Sequence, residues 1–123
     1  MFLFFQTEIK NNSRGQQGVI IVCDVTDKSS YNSIRTWVDR IQRYAGEDVV
    51  TLVVGNQIDF YPRREVSTFE ARKKVGEFNL PYFEVSAKSG ENVDESFMFL
   101  VREMIQIKIR KGELVFFFFL FSY

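Results

Sequence analysis

The 123-residue chain predicts an α/β fold in which three parallel strands alternate with helices. Three observations carry that reading. Short apolar runs recur at Gly18 to Cys23, Val49 to Gly55 and Tyr82 to Val85. Stretches of helical periodicity separate or follow them. Each crossover is long enough to return the chain in the same direction, which makes neighbouring strands parallel.

Gly18-Val19-Ile20-Ile21-Val22-Cys23 is a continuous, largely β-branched run, the pattern of a strand buried on both faces. Asp24 to Asp27 is polar and turn-like, and Asp24 and Asp27 are expected to cap the following helix rather than bind a metal. From Ser30 to Ala45, Tyr31, Ile34, Trp37, Val38, Ile41, Tyr44 and Ala45 fall at three-to-four spacing, predicting one amphipathic helix with Trp37 in the core. Val49 to Gly55 is the second buried strand. Tyr61-Pro62-Arg63-Arg64 interrupts the chain, and Ser67 with Glu70 forms a capping box that opens a helix to about Phe78. Pro81 precedes the third strand. Asn92 and Glu95 then resemble the start of a last helix, with Val93, Phe97, Leu100, Val101, Met104 and Ile105 on one face.

Composition bounds the function. Hydrophobic residues make up 46% of the chain, enough for one modest core. The formal net charge is +0 with 26% charged residues, which gives no basis for a nucleic-acid or anionic-membrane surface. Cys23 is the single cysteine, so no internal disulfide exists, and a reducing, cytoplasmic setting is expected. It reads as a small buried hydrophobe.

Two loops carry the chemistry. Asn56-Gln57-Ile58-Asp59 ends the second apolar run, and Ser86-Ala87-Lys88 ends the third. A carboxylate such as Asp59 can accept both the N1 and N2 protons of guanine, a donor pair that adenine lacks. Asn56 and Asp59 are also ordinary strand-end turn formers. An Asn-x-x-Asp arises by chance in roughly one chain in four of this length. The flanking sequence decides between the two.

Arg14-Gly15-Gln16-Gln17-Gly18 through Asp27 resembles the Rab-type "RGAQGVIIVYDVTD" segment. Ser30 to Ile34 followed by Trp37 resembles the start of the Rab third helix. Gly55 to Asp59 resembles "GNKxD", Arg64-Glu65-Val66-Ser67 resembles "REVS", and Glu84 to Val93 resembles "ExSAKxGENV". These five matches stand in the family order, over roughly residues 14 to 107. The chain is identified as resembling the C-terminal part of a Rab-type small GTPase, a P-loop NTPase-like domain.

The resemblance implies roles residue by residue. Asp59 takes guanine N1 and N2, and Asn56 meets the N7 edge and ties the two loops together. The Ala87 backbone N–H donates to O6, the Lys88 stem lies on the ring, and Ser86 braces the loop. Lys88 is equally a solvated surface charge. Gln57 replaces the family Lys and brings no cation, which weakens the site without abolishing it. GTP or GDP is the implied ligand, with Mg²⁺ only in a full-length relative. Rab-type effectors or regulators are the implied partners, although Asn12 and Ser13 replace aromatics that the family uses there. Vesicle-mediated membrane traffic and endomembrane association follow by the same analogy.

Neither Gly-x-x-x-x-Gly-Lys-Ser/Thr nor Asp-x-x-Gly occurs in the sequence. No hydrolysis is expected from this chain alone, because phosphoryl transfer rests on positioning and charge at the phosphates. A non-enzymatic interaction module or pseudo-GTPase is the alternative reading. Residues 1–13 are expected to be a switch II remnant with a Phe-rich start, 14–109 the C-terminal half of the domain, and 110–123 a Phe-rich tail. Leu114 to Phe121 is far short of the roughly 20 residues of a membrane span. No C-terminal prenylation cysteine is present. Phe codons are pyrimidine-rich, and Phe4-Phe5-Gln6 is what a polypyrimidine tract ending in CAG encodes. Both ends are therefore expected to be translated non-coding sequence.

Overall fold

The computed structural model describes residues 18–45 and 48–112, and the readings made of the two Phe-rich ends lie outside them. Three strands form one sheet in the order β1 (Gly18–Asp24), β2 (Val50–Asn56), β3 (Tyr82–Glu84). Both pairings are parallel, as predicted, with Gly18 opposite Val50, Asp24 opposite Asn56, and Val53 opposite Tyr82. Central β2 is buried on both faces from Leu52 to Gly55. β1 differs from the expectation: only Ile21 and Cys23 are buried, and Val19, Ile20 and Val22 remain partly exposed. The reason is its position, since among the described residues β1 has a neighbour on one side only.

The predicted Ser30 to Ala45 helix is two helices, α1 (Lys28–Asn32) and α2 (Ile34–Ala45). Asp27 starts α1 by accepting the Ser29 N–H at 3.0 Å, the capping role expected of it. The break falls at Ser33, whose side chain bonds back to the Ser29 carbonyl while its own carbonyl starts α2 by accepting the Trp37 N–H. Asn and Ser compete with the helical ladder in this way, and apolar spacing does not register it. Ser67 caps α3 (Thr68–Gly76) through the Glu70 N–H at 3.1 Å, two residues shorter than expected. Tyr61–Arg63 forms one 3-10 turn.

The last helix, α4 (Val93–Arg110), corrects two expectations. Asn92 makes no side-chain cap: its backbone is left-handed, at φ 59°, and its amide donates to the Glu84 carbonyl at 3.0 Å. Phe97 is 54% exposed, and buried Ser96 with Leu100 faces the sheet instead. No helix of the described residues is long and apolar enough to cross a membrane.

The sheet has a core on each face. Residues from β1, β2 and β3, including Ile21, Cys23, Val53 and Tyr82, pack against Tyr31, Ile34, Ile41, Ala71 and Val75 of α1, α2 and α3. On the other face Leu52, Val54 and Val85 meet Leu100, with Val93 and Met104 beside it. Cys23 is 2% exposed and burial pushes its thiol up to about 12, so it behaves as the small hydrophobe predicted.

Candidate functional site

β2 and β3 run parallel and end side by side, so the loops that follow them meet at one edge of the sheet. In open α/β sheets this carboxyl end is where ligands bind. Asn56 is the last residue of β2, and its Oδ1 accepts the Ala87 N–H at 2.9 Å. Ser86 is fully buried; its hydroxyl donates to Asp59 Oδ1 at 2.8 Å and accepts the Ser89 N–H at 3.0 Å. The Val85 carbonyl accepts the Ile58 N–H, a third tie between the loops. The second loop closes on itself, with the Ser86 N–H on the Glu91 carbonyl and the Gly90 N–H on the Ser86 carbonyl. Gly90, at φ 85°, supplies the left-handed residue that this closure requires.

The structure therefore brings Asn56, Asp59, Ser86 and Ala87 together. Asp59 is exposed, so its carboxylate faces solvent with one oxygen already anchored. Lys88, two residues after Ser86, is also exposed. The Ala87 N–H, to which the resemblance assigns guanine O6, is spent on Asn56. Reading O6 from it needs a shared donor or a small shift of the Asn56 amide. Gln57 is exposed in a left-handed backbone, at φ 70°, and its side-chain amide donates to Asp24 Oδ2 at 2.8 Å.

Behind the loops lies a polar cluster that the sequence did not disclose. Glu84, at the end of β3, accepts from Arg64 Nη2, from the Thr68 hydroxyl at 2.7 Å and from the Tyr82 hydroxyl at 2.9 Å. The Tyr82 oxygen in turn meets Tyr31 at 2.8 Å; with its own proton on Glu84, Tyr31 is the donor. Burial pushes the Glu84 carboxyl up, but the bonds from Arg64, Thr68 and Tyr82 outweigh it and hold the group below its usual range. The Glu84 bond raises Arg64 in return. Burial raises both tyrosines, so they stay protonated donors. The Glu84 backbone carbonyl also takes the Asn92 amide, which fixes both ends of the Ser86 loop. Arg64 and Glu84 both stood in recognised stretches, but a separation of 20 positions in the chain hides their pairing.

Asp24, the last residue of β1, does not cap the following helix as expected, and only Asp27 does. Asp24 Oδ1 accepts the Thr26 N–H and hydroxyl at 2.8 and 2.6 Å, and Asp27 caps α1. Among the described residues no three His, Cys, Asp or Glu side chains gather as a metal site would need. A groove of about 470 Å³ between α2, β2 and the end of α3 is lined by Val38, Ile41, Val49, Phe78 and Leu80. It opens at the other end of β2 from Asn56 and belongs to packing rather than to this site.

Comparison with known proteins identifies the family. The family model described as "Ras family" matches residues 4–106. The GTP-binding protein ypt1 of Schizosaccharomyces pombe is 40% identical over 108 residues, 88% of this chain and 52% of that protein. The Ras-related protein RABD2c of Arabidopsis thaliana is 42% identical over 94 residues, 76% of this chain and 46% of that protein. The GTP-binding protein YPTM1 of Zea mays is likewise 42% identical, over 76% of this chain and 45% of its own length. The chain thus spans about half the length of the curated relatives it matches. Profile, identity and interlocked loops agree: the chain belongs to the Ras family of small GTPases, in its Rab/Ypt group.

Proposed function

We propose that residues 14–109 form the guanine-reading half of a Rab-type GTPase domain and that this half recognises the base without holding the phosphates. The carrying observation is the interlock of the two loops, Asn56 Oδ1 to the Ala87 N–H and the Ser86 hydroxyl to Asp59. It presents an anchored, exposed carboxylate, the group that takes the N1–H and N2–H edge of guanine, and Lys88 is exposed two residues after Ser86. Asp59 receives that edge, Asn56 the N7 side, and Ser86 holds Asp59 in place. Gln57 covers less of the ring than a lysine would. Lacking a phosphate loop and an Asp-x-x-Gly, this chain alone binds nucleotide weakly and hydrolyses none. The parent activity, GTP-controlled recruitment of effectors to endomembranes in vesicle traffic, is proposed from the family.

Guanosine and adenosine titrated into ¹⁵N-labelled chain test the reading. Guanosine shifts the Asp59 and Ala87 amides with a Kd of about 1 mM or weaker, a few hydrogen bonds less the cost of ordering. GTP binds about as weakly as guanosine, and adenosine leaves both amides in place. Equal responses to the two nucleosides overturn the guanine reading. An interaction module presenting the partly exposed, uncharged edge from Val19 to Val22 would then stand in its place.

A further inference from the structure

β1 and β2 end level, with Asp24 opposite Asn56, and the Val25 N–H donates to the Asn56 carbonyl at 3.1 Å. Asp24 is fixed on every side. Its carboxylate holds Thr26 twice through Oδ1, and its N–H donates to the Ser30 hydroxyl at 3.0 Å. That leaves Oδ2, which takes the Gln57 amide at 2.8 Å. Gln57 occupies the left-handed region, which a non-glycine residue enters at a cost of about 1 kcal/mol or more. It sits directly between the two residues proposed to read the base, one place after Asn56 and two before Asp59. A bond from its side chain to a fixed neighbour is a means of holding that turn.

We propose that Asp24 is a positioning residue for guanine recognition: its carboxylate anchors the side chain at position 57 across the ends of β1 and β2 and so sets the turn that presents Asn56 and Asp59. The inference rests on the guanine reading above. Gln57 is exposed and Asp24 only partly buried, so the bond adds little to overall stability and its effect lies in orientation. An anion at this place favours a cation at position 57. A lysine ammonium would make a charge-assisted bond to the same Oδ2, stronger than the neutral amide makes.

The experiment uses the full chain with Asp24→Ser, Gln57→Leu, Gln57→Lys and the Asp24→Ser/Gln57→Lys pair. Serine retains a short acceptor for the Thr26 N–H but does not reach Gln57, and Gln57→Leu leaves the Asp24 turn untouched should the serine variant not fold. Asp24→Ser shifts the Gln57 side-chain NH₂ resonances. Asp24→Ser and Gln57→Leu each weaken guanosine binding roughly threefold, and Gln57→Lys tightens it roughly threefold to tenfold. In the double variant that gain disappears. A lysine gain that survives Asp24→Ser, or guanosine binding unchanged in Gln57→Leu, overturns the positioning role and leaves the guanine reading intact. A wild-type chain that does not distinguish guanosine from adenosine defeats the guanine reading itself, and the positioning role with it.

Discussion

The two faces of the sheet are built differently. One is covered by α1, α2 and α3 and buries side chains from all three strands together with the Tyr31–Tyr82–Glu84 chain of hydrogen bonds. Among the described residues the other is covered by α4 alone, with Leu52, Val54, Val85 and Leu100 as its buried core. The finished face carries the Arg64–Glu84–Tyr82–Tyr31 cluster behind the Ser86 loop, and the helix of the thin face contributes the Asn92 amide at its start. The loops after β2 and β3 therefore draw most of their side-chain support from one side of the sheet, while overall stability depends on both.

The largest effect is expected on the thin face. Leu52 is fully buried in the core that α4 covers. Leu52→Ala should cost about 3–4 kcal/mol, the upper middle of the range for such truncations. In a domain this small, that is a large share of the total. Chemical denaturation followed by circular dichroism measures it. A loss below about 1 kcal/mol would mean that α4 does not pack on this face in solution, and the comparison would break.

A smaller effect tests the finished face. A Cβ on Gly55 would lie 2.2 Å from the Tyr82 hydroxyl oxygen and 2.5 Å from that of Tyr31, too close for either to stay. Gly55→Ala should cost about 2–3 kcal/mol by forcing the two tyrosines apart. Tyr82→Phe removes the nearest clashing oxygen, so the double variant should be less destabilised than the two single losses added together. Strict additivity would show that the strain falls elsewhere.

How much of this was legible depended on the range of the interaction. The strands declared themselves because β-branched residues cluster locally, and the loops because Asn56, Asp59 and Ser86 directly follow those runs. The break at Ser33 was hidden, since apolar spacing continues smoothly from Tyr31 through Ile34 to Trp37 while the interruption is made by side-chain hydrogen bonds. Asn92 read as a cap because its identity suits one, but its backbone turned left-handed and its amide went to Glu84. Phe97 read as core because helical period does not say how wide a face the sheet can cover. The Arg64–Glu84 and Asp24–Gln57 pairs join residues 20 and 33 positions apart, and only the register of the strands brings them together.

The smallest expected stability change, at Asp59, separates reading from support. Glu84 and Asp59 are carboxylates at the same end of the sheet with opposite surroundings. Glu84 accepts three side-chain donors and supports the loop from behind. Asp59 is exposed and accepts one, from Ser86. In Asp59→Ala the buried Ser86 hydroxyl still receives the Ser89 N–H but must find a new acceptor for its own proton. The cost should be about 1 kcal/mol, one ordinary hydrogen bond. Guanosine preference over adenosine should vanish in the same protein, since the Asp59 carboxylate is the proposed acceptor of N1–H and N2–H. A stability loss above about 2 kcal/mol would place Asp59 with Glu84 as a structural carboxylate. A retained guanosine preference would move base reading to the backbone of the Ser86 loop.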